Sequence, residues 1–394
     1  MTTRTGSRKA RTTRIAVALA ATTSTITLGT LAIPASATPL SSAHLTSMHR
    51  GARDSGAVFV QTDNLAGNAI VAYRRAADGS LTMAGSYATG GMGGMLTGSV
   101  VDHLASQGSL AYVAEHKLLI AVNAGSDTIT TFSVWGTALN RRQVIGSGGM
   151  FPVSVAVHGD LVYVLNARGG GSIQGYRLVN GWLMPLAASH LSLGLNAAAT
   201  PEFTNTPGQV AFSPDGSKLL ITTKANGNQI DVVRLAHGVP SGGLVTNSDA
   251  GMVPFAITFN GRGRVVVGEA AGSVATFKLS SNGMLTLIGR TATNQAATCW
   301  IVADHGHVYA ANAGSNSISA FTFTWSGVPT PAGMVSTDAG PVDLTVSPNG
   351  RSLYQQTGGG GDVDEFAVMR NGSLTMIGHV TVPNAVGGEG IVAT

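Results

Sequence analysis

A single cysteine, Cys299, stands in a chain of 394 residues, so no disulfide can form within it. An exported protein of this length needs none, because its core can be large. Charge is also scarce: Asp, Glu, Lys and Arg make up 11% of the residues. Beyond the first 37 residues no stretch is long and apolar enough to span a bilayer. No H-E-x-x-H, G-x-S-x-G or phosphate-binding glycine loop occurs, which removes support for a zincin, a serine-hydrolase elbow or nucleotide chemistry. The histidines are scattered, and neither a metal nor a cofactor is expected.

The N-terminus carries a different signal. Arg4, Arg8, Lys9, Arg11 and Arg14 form a basic head, Ile15 to Ile33 is largely apolar, and Ala35-Ser36-Ala37 is an A-x-A cleavage site. This reads as a secretory signal peptide over residues 1–37, cleaved after Ala37, with an extracytoplasmic product. The apolar stretch would also suffice for an uncleaved anchor, but the threonines between Thr22 and Thr27 and the A-x-A site favour cleavage. The leader holds five basic and no acidic residues, leaving 18 basic against 19 acidic side chains in the mature part. With no basic run longer than two residues there, nucleic acid is not an expected partner.

What the chain has in abundance is glycine, and it is periodic. Asp78-Gly79, Trp135-Gly136, Asn180-Gly181, His237-Gly238, Asn282-Gly283, Ser326-Gly327 and Asn371-Gly372 stand 57, 45, 57, 45, 44 and 45 residues apart. A period near 45 is the length of one four-stranded propeller blade. The expected fold is therefore all-β: a seven-bladed β-propeller of four-stranded antiparallel blades over residues 57–394, after a flexible lead-in at 38–56. Alternating runs bounded by turn residues recur in order, as in Val153–Val157, Leu161–Asn166, Ser172–Leu178 and Leu183–Ala187. The first blade lacks its first strand, and Gly390-Ile391-Val392-Ala393 supplies one from the other end. Pairing of that C-terminal strand into the N-terminal blade would close the ring and remove an exposed edge. Two repeats are longer by roughly a dozen residues. Their insertions lie within Gly85 to Gln107 and Ala188 to Gly208, on the face where long loops surround the channel mouth.

Val122-Asn123-Ala124-Gly125-Ser126, Val164-Leu165-Asn166-Ala167 and Ala311-Asn312-Ala313-Gly314-Ser315 resemble the second-strand signature of YVTN-type repeats. Ser213-Pro214-Asp215-Gly216 and Ser347-Pro348-Asn349-Gly350 resemble their S-P-D-G turn. Over residues 57–394 the chain resembles the seven-bladed lactonase family, which includes 6-phosphogluconolactonases and carboxymuconate lactonising enzymes. The resemblance implies that fold and a related pocket. Family members carry a His in an H-S-A-N-x-S-P-D segment, where this chain reads Phe151-Pro152-Val153-Ser154-Val155-Ala156-Val157. Their Arg/His-bearing segment corresponds to Thr206–Phe212, and Lys224 stands near their Glu. Those catalytic residues are not carried over.

First-strand starts and second-strand ends should meet near the axis on one face. Asp343 and Glu389 open consecutive inner strands there, and two close carboxyls split into one acid and one base. Lactone hydrolysis needs that pair, one member to activate water and one to protonate the leaving oxygen. As structural groups the same carboxylates would cap turn amides. Lys224 and Glu269 end second strands of neighbouring blades and are expected to pair across the boundary, Lys224 being able to hold a substrate carboxylate. Asn123, Asn166, Asn312, Gln209 and Trp300 complete the expected substrate-binding wall. Cys299 reads as a buried inert thiol. Asp362, Asp364 and Glu365 alternate about a strand, which argues against one shared ion.

Two readings stay open. The chain is an exported lactone hydrolase or related cycloisomerase, acting on a small lactone or hydroxy acid. Alternatively it is a non-catalytic propeller binding a ligand or protein of the cell envelope. A monomer is expected in either case.

Overall fold

The structure, a computed structural model, describes residues 56–394. The expected leader and all but the last residue of the lead-in lie outside the described residues. Seven sheets follow one another around a ring. Blade two runs Leu110–Val113, Leu118–Asn123, Thr128–Trp135 and Ala138–Gly146. Blade five runs Pro254–Phe259, Val265–Glu269, Ser273–Leu279 and Leu285–Ala292. Blade six runs Thr298–Asp304, His307–Asn312, Ser317–Phe323 and Pro329–Ser336, and blade seven Pro341–Val346, Ser352–Thr357, Asp362–Val368 and Leu374–Thr381. Blades three and four begin with Pro152–His158 and Val210–Phe212, and their outer edges are split into two short strands each. In blade three the expected strand Leu183–Ala187 stops at Pro185. The buried Ser189 hydroxyl accepts from Gly175 N (3.0 Å) and is 3.1 Å from Gly175 O, taking over the ladder positions a continuous strand would use.

All seven periodic glycines have positive φ, from 59° at Gly136 to 99° at Gly327. Each lies in the hairpin between the third and fourth strands, where a left-handed residue reverses the chain and a Cβ is penalised. The same glycines join neighbouring blades. The Tyr163 hydroxyl donates to Gly238 O (2.8 Å), Tyr309 to Gly372 O (3.0 Å) and Tyr354 to Gly79 O (2.7 Å). A tyrosine on a second strand thus crosses the blade boundary, burying its ring and satisfying its hydroxyl on the next hairpin.

Ring closure is as expected. Ile391–Ala393 is the innermost strand of blade one, antiparallel to Gly56–Gln61 with Val58 opposite Ala393 and Val60 opposite Ile391. Val58, Phe59 and Val60 are fully buried, because a strand between two others is covered on both edges and both faces. The closure brings Glu389 into the mouth of the channel.

Candidate active site at the channel mouth

The first insertion, residues 89–109 between blades one and two, crosses the mouth of the channel. Its shape is set locally by Asp102, whose carboxylate accepts from Leu104 N (2.8 Å) and Ser106 N (2.9 Å). Leu96 and Leu104 are fully buried in the core shared with blades two to four. From there the segment is fastened around the ring. His103 N donates to Gly387 O (2.8 Å), and Gln107 Nε2 to Ile301 O in blade six (2.8 Å), while Ile301 N donates back to Gln107 Oε1 (2.8 Å). Trp300 Nε1 donates to Ser106 O (2.6 Å), and the Ser106 hydroxyl to Val153 O in blade three (2.9 Å).

Beneath this crossing lie four carboxyl groups and one amine, all buried. Glu389 Oε1 accepts from Gly108 N (2.9 Å), and Glu389 Oε2 lies 3.3 Å from the Ser106 hydroxyl oxygen. Asp343 accepts from Leu344 N (2.9 Å) and Ile391 N (3.2 Å), and it is hydrogen-bonded to Glu389. Asp63 accepts from Glu389 N (2.8 Å) and Gln61 Nε2 (2.6 Å). Burial raises the pKa of every acid. Asp343 is pushed up to about 7, against the pull of the Ile391 and Leu344 amides and of Glu389. Burial, then the charges of Asp343, Asp102 and Asp63, hold Glu389 well above the usual carboxylate range. Asp63 reaches about 8 and Asp102 about 6. Both carboxyls are thus held above the ordinary carboxylate range, and the charge of Asp343 is part of what raises Glu389.

Lys224 faces the same space. It lies at φ 53°, a left-handed conformation that costs a non-glycine residue energy. Its Nζ donates to Ala105 O (2.6 Å), Phe203 O (2.6 Å) and Thr206 Oγ1 (3.1 Å). Burial lowers its pKa to about 7, opposed chiefly by the charge of Asp102.

Several expected arrangements need correction. Lys224 does not pair with Glu269. Arg290, on the outer strand of the same blade, grips Glu269 through Nε (2.7 Å) and Nη2 (2.9 Å) and also bonds Asp249, so Glu269 is neutralised before Lys224 can reach it. Asn123, Asn166 and Asn312 are fully buried and do not line an open pocket. Asn123 Nδ2 donates to the hydroxyls of Thr128 (3.1 Å) and Thr130 (2.9 Å), and Asn312 Nδ2 to those of Ser317 (3.1 Å) and Ser319 (2.9 Å). These amides tie the end of each second strand to the third, while Asn166 Nδ2 reaches Ser147 O (3.3 Å). Gln209 Oε1 accepts from Ile257 N, joining blades four and five. Trp300 packs on Phe255 with ring centroids 4.8 Å apart and holds the crossing segment down. The mouth is thus filled by the chain's own insertion. Burial also drives the Cys299 thiol pKa upward.

Asp63 and Asp102 belong to the cluster and were not among the expected site residues. Asp63 follows the second strand of blade one at φ 49°, at the kind of second-strand end that the repeat places near the channel mouth. Asp102 lies in an insertion without periodicity, where only its local turn chemistry could have marked it.

Fold and site together define a closed-mouth seven-bladed propeller with a cluster of buried carboxyls beneath the crossing segment. Residues 257–387, spanning blades five to seven, match the family model described as Lactonase, 7-bladed beta-propeller. Among solved structures it is similar to the Pseudomonas aeruginosa periplasmic gluconolactonase PpgL, at 18% identity and TM-score 0.70, covering 86% of this chain and 99% of that one. It is likewise similar to a proposed 6-phosphogluconolactonase from Bacteroides fragilis, at 20% identity and TM-score 0.68, covering 86% and 98%. A Lactobacillus plantarum protein matches at 19% identity and TM-score 0.69, covering 86% and 99%. At these identities the likeness is one of fold. No curated protein matches the sequence.

Proposed function

We propose that this chain is an exported, monomeric lactone hydrolase whose chemistry lies at the channel mouth, with Asp343 as base and Glu389 as acid. The reading rests on one observation: two inner-strand carboxyls from blades seven and one are in hydrogen-bond contact, and burial keeps both from ionising in the ordinary range. Ionised Asp343 takes a proton from water as the oxygen attacks the lactone carbonyl. Glu389 gives its proton to the ring oxygen as the acyl C–O bond breaks. Proton transfer between the two carboxyls then restores the pair, and the hydroxy acid leaves. Lys224 is positioned to bind a substrate oxygen or carboxylate once the crossing segment lifts, since all three groups are covered when it is down. A sugar lactone of the gluconolactone class, as named for the periplasmic Pseudomonas aeruginosa neighbour, fits the expected export better than a phosphorylated cytosolic one.

A second reading is favoured by a different observation. The mouth is sealed, while Trp135 and Trp325 stand 81% and 86% exposed on third-to-fourth strand hairpins of the opposite face. A non-catalytic propeller binding an envelope ligand or protein would use such exposed aromatic surface. Acid release separates the two. Residues 38–394 are incubated with five- and six-membered sugar lactones and muconolactone and titrated at constant pH. The lactonase reading expects turnover, reduced on the order of 100-fold or more in Glu389→Gln, the range for a lost general acid. No turnover on any lactone, or an unaffected variant, transfers the assignment to the binding propeller.

A further inference from the structure

Blade seven carries a cluster that the channel chemistry does not use. Asp364 on its third strand and His379 on its fourth are direct cross-strand partners, so their side chains share one face of the sheet. Asp338, from the connection leading out of blade six, reaches the same place: its Oδ2 lies 3.3 Å from His379 Nδ1. One ligand atom from each of the three residues lies within 4.8 Å of the others.

The repeat shows what is unusual here. Asp249, Ala275 and Arg290 of blade five each precede Asp338, Asp364 and His379 by the same interval of 89 residues. In blade five Arg290 bonds Asp249 and Glu269, so a guanidinium balances the carboxylates. In blade seven the guanidinium has become an imidazole and the alanine a second carboxylate. The second-strand end that matches Glu269 is Thr357, which carries no charge. Two carboxylates are present in each blade, but in blade seven the fixed cation that balanced them is gone.

Asp364 itself is fully buried. Its Oδ2 accepts from Asp338 N (2.8 Å), but its Oδ1 has no hydrogen-bond donor. A buried carboxylate oxygen without a donor is costly, and a bound cation removes the cost. We propose that Asp338, Asp364 and His379 bind a divalent first-row transition ion, with Zn2+ the best fit. The donor set of one imidazole nitrogen and two carboxylate oxygens suits such an ion better than Ca2+, which takes six to eight oxygens. Tetrahedral ligands at about 2.0–2.1 Å from zinc stand roughly 3.3–3.4 Å apart, the spacing of His379 Nδ1 and Asp338 Oδ2. Three protein ligands leave the fourth position to water. The side chains of His379 and Asp338 are 61% and 44% exposed, which gives the ion a path in. The site does not depend on the lactonase reading.

Calorimetric titration of chelator-treated residues 38–394 with Zn2+ tests it, with Ca2+ titrated in parallel and Co2+ added to read its visible absorption. The expected result is saturable one-to-one Zn2+ binding and a Co2+ spectrum typical of low coordination number. Affinity should fall at least tenfold in His379→Gln and in Asp364→Asn, and persist in His305→Gln, which removes an exposed His–Asp pair elsewhere. His379→Gln alters a surface side chain, so it remains informative if Asp364→Asn fails to fold. No saturable Zn2+ binding, equal binding by the His379 variant, or Ca2+ binding as tight as Zn2+ would overturn the proposal.

Discussion

Asp343 carries two burdens, one chemical and one energetic. Its folded-state pKa of about 7 lies above the ordinary carboxylate value, and that of Asp63 lies higher, at about 8. A raised acid binds its proton more tightly in the folded chain, so its contribution to stability is complete below about pH 4 and is lost as pH rises through the folded value. Each such group gives a slope of up to about 1.4 kcal/mol per pH unit. Lys224, lowered to about 7, has the opposite sign: its contribution is lost as pH falls from about 10 towards 7. Glu202, held at about 2 by Arg168, loses its contribution only below about pH 4. Stability against urea should therefore decline as pH is raised from 5 to 8. In Asp343→Asn that decline should be shallower, whatever the variant's absolute stability. Equal slopes in the two proteins would remove Asp343 from the titrating cluster.

At the scale of elements, two segments govern the mouth. The closing strand Ile391–Ala393 completes blade one and, through Glu389 and Gly390 before it, supplies the mouth with an acid and a backbone partner for Gln61 (Gln61 N to Gly390 O, 2.8 Å). Removing residues 387–394 uncovers the edge of Gly56–Gln61 and strips partners from Ser106, Gly108 and Asp343 together. The truncated chain should lose its single cooperative thermal transition, and calorimetry reads this directly. A sharp transition at the parent temperature would mean the ring does not need its closure. This strand was legible in the sequence because blade one lacked a first strand and the C-terminus offered one. The periodic glycines were legible for an equally physical reason: a left-handed hairpin position admits few other residues. The crossing segment was not, because its path depends on partners distant in the chain. Gln107 meets Ile301, Ser106 meets Trp300, and Ala105 meets Lys224. The Lys224–Glu269 expectation failed in the same way, since strand spacing made them neighbours but could not reveal that Arg290 reaches Glu269 first.

For the whole molecule, the ring is a rigid frame and the insertion is what distinguishes this propeller. Tyrosine-to-glycine hydrogen bonds recur at three blade boundaries, including the one between blades seven and one that closes the ring. Such a frame holds Asp343 and Glu389 at fixed separation, so under the proposed lactonase reading the motion that admits substrate falls to the insertion at residues 89–109. The sequence period also concealed the blade-seven cluster, whose ligands come from a connection and two strands and align only when blade seven is laid on blade five.

The account's central claim, that Asp343 and Glu389 act as base and acid beneath the crossing, is tested most directly by the pH dependence of kcat/KM for lactone hydrolysis, measured for the parent chain and Asp343→Asn. The predicted profile rises to a limb near pH 7 as Asp343 ionises, falls again where Glu389 loses its proton, and is lost with Asp343. A limb near pH 4, or turnover undiminished in Asp343→Asn, would contradict it.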